Sequence, residues 1–189
     1  PIIVAVLGVF LLKEKPSILQ WFGSILFIVG IITYFFPISL IENEIIGLAV
    51  MLVGVLANAF SAIIGRDINR NKDISPIVIT FISMGIGAVL LLAIGISMNG
   101  LPTISFETWI YLLWLAVVNT AFAFTLWNLT LRSLTAMESS IINGTMLIQI
   151  AILAWYFLGE NISLQEGIGM VIAALGAVLV QIKRNKSKG

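Results

Sequence analysis

Long apolar runs separated by short polar gaps set the pattern of this chain. The runs lie near Ser17–Phe36, Glu44–Ile64, Pro76–Met98, Phe106–Leu131, Ala136–Leu158 and Leu164–Ile182. About 20 apolar residues, rising about 1.5 Å each in a helix, cross a hydrocarbon core roughly 30 Å thick. The pattern therefore predicts six membrane-spanning helices. Pro1–Leu12 is a shorter apolar stretch and predicts a partial helix, whose start is expected to lie upstream of Pro1. Polar residues mark the helix starts. Ser17-x-x-Gln20, Thr135-x-x-Glu138 and Ser163-x-x-Glu166 fit a reciprocal capping box, and Ser75-Pro76 fits an N-cap followed by Pro at the first helical position. Lipid offers no water to the free N–H groups of a first turn, so caps carry extra weight here.

Charge adds a direction to these spans. Basic residues occupy alternate gaps: Lys13 and Lys15, then Arg66, Arg70 and Lys72, then Arg132, then Lys183, Arg184, Lys186 and Lys188. The gaps between carry none. Basic loops stay on the cytoplasmic side, so this alternation predicts a chain that crosses the bilayer repeatedly, with the basic loops and tail cytoplasmic and the plasma or inner membrane as the default location.

Composition narrows the class. With 60% hydrophobic and 10% charged residues, the chain is too apolar for a soluble globule of this length. Its net charge is +1 and its cations sit at loop edges, so no nucleic-acid partner is implied. It has no Cys and no His, which removes thiol nucleophiles, disulfides, imidazole bases and the usual zinc ligands. No phosphate-binding loop or nucleophile elbow occurs, and no cofactor, metal site or enzyme activity is expected.

The chain also resembles itself. At an offset of 146 positions Glu14 falls on Glu160, Ser17 on Ser163, Gly23 on Gly169 and Gly30 on Gly176, with aliphatic matches such as Leu12 on Leu158. Five predicted crossings separate equivalent points. An odd number places the two Glu-bearing turns on opposite sides of the bilayer, which is the signature of an inverted repeat and common among secondary transporters.

Leu158-Gly159-Glu160 followed by Gly169 and Gly176, the parallel Glu14, Gly23 and Gly30 with Pro1 ahead of them, and the aromatic stretch from Trp114 through Phe122 to Asn128 resemble the EamA-type proteins of the drug/metabolite transporter superfamily. The resemblance covers essentially the whole chain. It implies an all-α polytopic membrane protein, an inverted-repeat helical bundle of ten helices, of which six full helices and a partial one are present. Residues 1–40 would be the end of the first repeat, and residues 41–189 the second repeat with its basic tail. Such proteins often carry Pro in the penultimate helix, where this chain has Leu147 at the position matching Pro1.

No Asp, Glu, Lys or Arg occupies the middle of a predicted span, so the functional candidates are uncharged polar and aromatic residues. Gly54, Asn58, Ser61, Ala62 and Gly65 form one helical stripe. Close helix packing through small residues accounts for such a stripe, and Asn58 and Ser61 are its candidates for a substrate pathway. Thr120, Phe124 and Trp127 share a face with Asn128 near its edge, suited to an amphipathic solute or to packing. Ser139 and Asn143 share another, with Gln149 beside it. Glu14 and Glu160 are expected as structural carboxylates at helix amino ends.

The expected function is secondary transport, export or facilitated passage of small organic metabolites or drugs by alternating access between the repeats. The partners would be a small-molecule substrate and the lipid bilayer, with a homodimer open. Two alternatives stand beside this: a translocator of lipid-linked carriers, and a non-transporting scaffold whose polar stripes are interhelical contacts.

Overall fold

The computed structural model describes residues 1–37 and 45–182. The gap carrying Glu42 and Glu44, the 40/41 repeat boundary and the tail cations Lys183, Arg184, Lys186 and Lys188 lie outside the described residues. Seven helical spans are described: α1 Ile2–Leu12, α2 Ile18–Phe35, α3 Ile45–Arg70, α4 Pro76–Asn99, α5 Phe106–Thr130, α6 Ala136–Leu158 and α7 Leu164–Gln181. There is no strand among the described residues. Six of the helices are long and apolar enough to cross a membrane, and the large apolar side chains they expose belong in lipid. The chain is a polytopic helical membrane protein.

Local chemistry explains where the helices begin. Ser17, Thr135 and Ser163 each accept a hydrogen bond from the backbone N–H three residues on, while Gln20, Glu138 and Glu166 reach back to the cap N–H. Ser75 caps α4 with Pro76 behind it. Ser105 caps α5 by accepting from the Thr108 N–H at 3.3 Å, a start that the sequence pattern did not mark. One helix outruns its apolar run. The span expected to end at Ile64 continues to Arg70, because the polar groups beyond Gly65 find partners: the Arg66 guanidinium donates to the Leu131 carbonyl, and Arg70 pairs with Asp67 at 2.7 Å. Hydropathy marks where lipid ends, and the backbone keeps its helix as long as its side chains are satisfied.

Two further helices are irregular. In α5 the residues Leu115–Phe122 form a π-helical stretch. In α6 the helix Ala136–Gly144 breaks at Thr145, resumes as Met146–Leu153 and ends in π-helical turns over Ala154–Leu158. Insertions of this kind inside helices recur at functional sites.

The chain forms two compact units, one of residues 1–64 with 135–189 and one of residues 65–134, so α3 passes from the first into the second. In the first unit α2 and α7 make the most extensive helix contact of the described residues. A Cβ added to Gly30 would lie 2.3 Å from the Ala173 nitrogen, one at Gly176 would lie 2.4 Å from the Phe27 nitrogen, and one at Gly169 would lie 2.6 Å from the Tyr34 nitrogen. Only glycine lets the two backbones meet this closely. Gly23 faces Gly176, and Gly30 faces Gly169. Rising numbers on α2 meet falling numbers on α7, so the helices are antiparallel. Under the 146-residue offset Gly23–Gly176 becomes Gly169–Gly30, so the pairs exchange, as an inverted repeat requires.

The turns before these helices repeat as well. Lys13 and Gly159, equivalent under the same offset, both adopt the left-handed conformation, with φ of 56° and 69°. Behind them the Glu14 N–H donates to the Gly8 carbonyl at 3.1 Å and the Glu160 N–H to the Ala154 carbonyl at 3.4 Å, the same six-residue closure. Because α2 and α7 are antiparallel, the Glu14 and Glu160 turns that precede them lie at opposite ends of the pair. The Glu14 turn is tied further. Glu14 Oε2 accepts from the Ala136 N–H at 2.9 Å, so this carboxylate serves the amino end of α6 instead of the helix that follows it, a placement the helix dipole favours. Beside it Gln20 Nε2 donates to Glu138 Oε1 at 3.0 Å and to the Val180 carbonyl at 3.3 Å. These bonds lock the ends of α1, α2, α6 and α7.

Candidate functional site

In the first unit, α1, α3 and α6 border an open cavity of about 510 Å³. Each helix contributes one face. From α3 come Met51, Gly54, Val55, Asn58 and Ala59, spaced three and four apart; from α6 come Ser140, Asn143 and Gly144; from the start of α1 come Ile3 and Val4, beside Pro1. Behind the cavity Val4, Ala59, Ile63 and Ala136 pack together with Leu12 and fix how the three helices approach.

The wall supplied by α6 is shaped by the break at Thr145. The Thr145 N–H is shared between the carbonyls of Ile141 at 3.1 Å and Ile142 at 3.0 Å, and its hydroxyl donates back to Ile142 at 2.6 Å. Back-bonding threonines of this kind bend helices. The break falls two residues before Leu147, so the penultimate helix is interrupted here without a proline. Phe27, 2% exposed, packs against Gly144 from the far side: a Cβ there would lie 2.8 Å from the Phe27 ring. Asn143 is thereby held at the end of a helical segment, facing the cavity.

Asparagines in this chain fall into two kinds. Among the described residues no hydrogen bond uses the side chain of Asn58, Ser140 or Asn143. Asn128, by contrast, is buried within the second unit and wholly engaged. Its Oδ1 accepts from Asn69 Nδ2 at 2.8 Å, and its Nδ2 donates to Thr80 Oγ1 at 3.0 Å and to the Phe124 carbonyl at 3.1 Å. Asn69 also donates to the Gly65 carbonyl at 2.8 Å, and Thr80 to the Pro76 carbonyl at 2.9 Å. This cluster joins the end of α3, the start of α4 and the end of α5, the role that buried amides play between membrane helices.

Of the nine candidates for a substrate pathway, the cavity brings together Asn58 and Asn143. Ser61 is exposed on α3 outside that lining. Ser139, 2% exposed, donates its hydroxyl to the Ala136 carbonyl at 3.0 Å, and Gln149 is exposed with its amide 3.5 Å from the Thr145 hydroxyl. Thr120, in the π-helical stretch, Phe124 and Trp127 belong to the second unit with Asn128. Of the two carboxylates, Glu14 caps α6 as described, and Glu160 is exposed. Ser140 was not expected at the cavity. Its signal was present: Ser140, Asn143 and Gly144 stand at i, i+3 and i+4 on one helical face. Asn69 likewise continues the Gly54–Gly65 stripe by one more turn.

Residues 45–182, the whole of α3 to α7, match the family described as the EamA-like transporter family. No curated protein and no solved structure matches the chain.

Proposed function

Because the chain belongs to the EamA-like transporter family, a family of membrane transporters, we propose that it carries small organic metabolites across the plasma membrane through the cavity bordered by α1, α3 and α6. Transport is by alternating access, with the two inverted repeats exchanging roles, and the basic loops face the cytoplasm. One observation supports this reading above the others. The cavity holds two carboxamides with no protein partner at membrane depth, where an amide that serves only packing is drawn into bonds such as those around Asn128. A scaffold whose asparagines all act between helices would not leave Asn58 and Asn143 free. Its volume of about 510 Å³ lies within the range of small-molecule pockets.

The test is flux in liposomes containing the full-length protein, with amino acids, sugars, nucleosides and drug-like amides as solutes. Asn58→Ala and Asn143→Ala are each expected to lower saturable flux about tenfold or more at unchanged expression and thermal stability, as loss of a buried substrate hydrogen bond does. Unchanged flux in both variants, or loss of folding in place of flux, would count against the cavity as the route.

A further inference from the structure

We infer that the cavity accepts solutes without net charge: molecules with an apolar body and one edge that offers both a hydrogen-bond donor and an acceptor. The inference deepens the transport reading and rests on it. The polar part of the lining is two carboxamides and a hydroxyl, from Asn58, Asn143 and Ser140. Each carries donor and acceptor capacity on the same group. Such a set matches an amide, lactam or hydroxyl edge of either polarity, and a ligand edge of one polarity uses only half of it.

The rest of the described lining is apolar, with Ile3, Met51 and Val55 as its larger members, and carries no charged side chain. A charged solute entering here exchanges its hydration shell for dipoles alone. That transfer is costly wherever no counter-charge is supplied. A neutral solute exchanges water hydrogen bonds for amide hydrogen bonds at little net cost and gains from burying its apolar body. The amides thus act as a filter on charge, and a neutral cargo carried without a coupled ion makes the rate indifferent to the membrane potential.

Replacing an amide by the isosteric carboxylate adds a charge and little else, so Asn143→Asp tests the filter, and Asn58→Asp on a different helix repeats the test should the first variant fold poorly. Full-length protein in liposomes is assayed with thymidine and N-acetylphenylalaninamide as neutral probes and benzyltrimethylammonium as the cation. The wild type is expected to show saturable uptake of a neutral probe, at least about tenfold slower uptake of the cation, and no response to an imposed potassium diffusion potential. The aspartate variants are expected to raise cation uptake at least about tenfold and to make it respond to that potential.

Wild-type cation uptake as fast as that of the neutral probes, and lost in Asn58→Ala, would overturn the charge filter and leave transport standing. So would folded aspartate variants that gain no cation uptake while neutral flux persists. Absence of saturable flux for every probe in wild type and variants alike would overturn the transport reading, and this inference with it.

Discussion

Side chains of one type do opposite work in this chain, and their surroundings decide which. Asn128 exchanges hydrogen bonds with Asn69 and Thr80 inside the protein, whereas Asn58 and Asn143 point unpaired into a cavity. Asn128→Ala leaves the Asn69 amide and the Thr80 hydroxyl short of a partner and is expected to lower stability by about 1–2 kcal/mol, measured by reversible unfolding in mixed micelles. An unchanged unfolding curve would show that those amides are satisfied elsewhere. Sequence spacing placed Asn58 and Asn143 on polar stripes but gave the same standing to Asn128 and Ser139. Helical angle says which residues share a face. It does not say whether that face meets a neighbour or an opening, because that depends on residues distant in the sequence. Glu14 illustrates the same limit: its place before a helix was legible, while its service to Ala136, 122 positions away, was not.

At the scale of elements, the helices and their caps were the most legible part. Three capping boxes and the Ser75-Pro76 start appear where the sequence puts them, since a cap is a local agreement between residues three apart. Ends were harder: α3 runs past Ile64 because Arg66 finds the Leu131 carbonyl and Asn69 finds Asn128 Oδ1 across the unit, information absent from local hydropathy. The break in α6 is also invisible to a search for proline, since Gly144 and a back-bonded Thr145 produce it. Glycines separate by role in the same way. Gly30→Ala forces a methyl to within 2.3 Å of the Ala173 nitrogen and is expected to lower stability by roughly 1–3 kcal/mol. Gly85→Ala, on a helix where nothing lies within 4 Å of the new methyl, is expected to raise it by up to about 1 kcal/mol, since alanine restricts the unfolded chain and favours the helix. Equal effects of the two in mixed-micelle unfolding would mean that α2 and α7 do not meet backbone to backbone.

For the whole molecule, the repeat offset of 146 residues connects sequence to topology. It pairs glycines across α2 and α7 in exchanged order and gives Lys13 and Gly159 the same left-handed turn. The chain has no cysteine, so Lys15→Cys and Asn161→Cys each report one turn, and both positions are exposed. An impermeant maleimide is expected to modify the two from opposite faces of a sealed membrane, Lys15→Cys from the cytoplasmic side. Modification of both from one face would end the inverted arrangement. The alternation of basic gaps predicts opposite faces for the two turns; the match of one backbone turn built on lysine with another built on glycine did not show, because the two residues share no chemistry. The seam between α2 and α7 also limits how the protein can evolve. A methyl added at Gly144 strikes the tip of the Phe27 ring, which a smaller residue would withdraw. A methyl added at Gly30 strikes main-chain atoms of Ala173 and Gly169, which no substitution removes. Second-site revertants are therefore open to lineages that lose the first glycine and closed to those that lose the second.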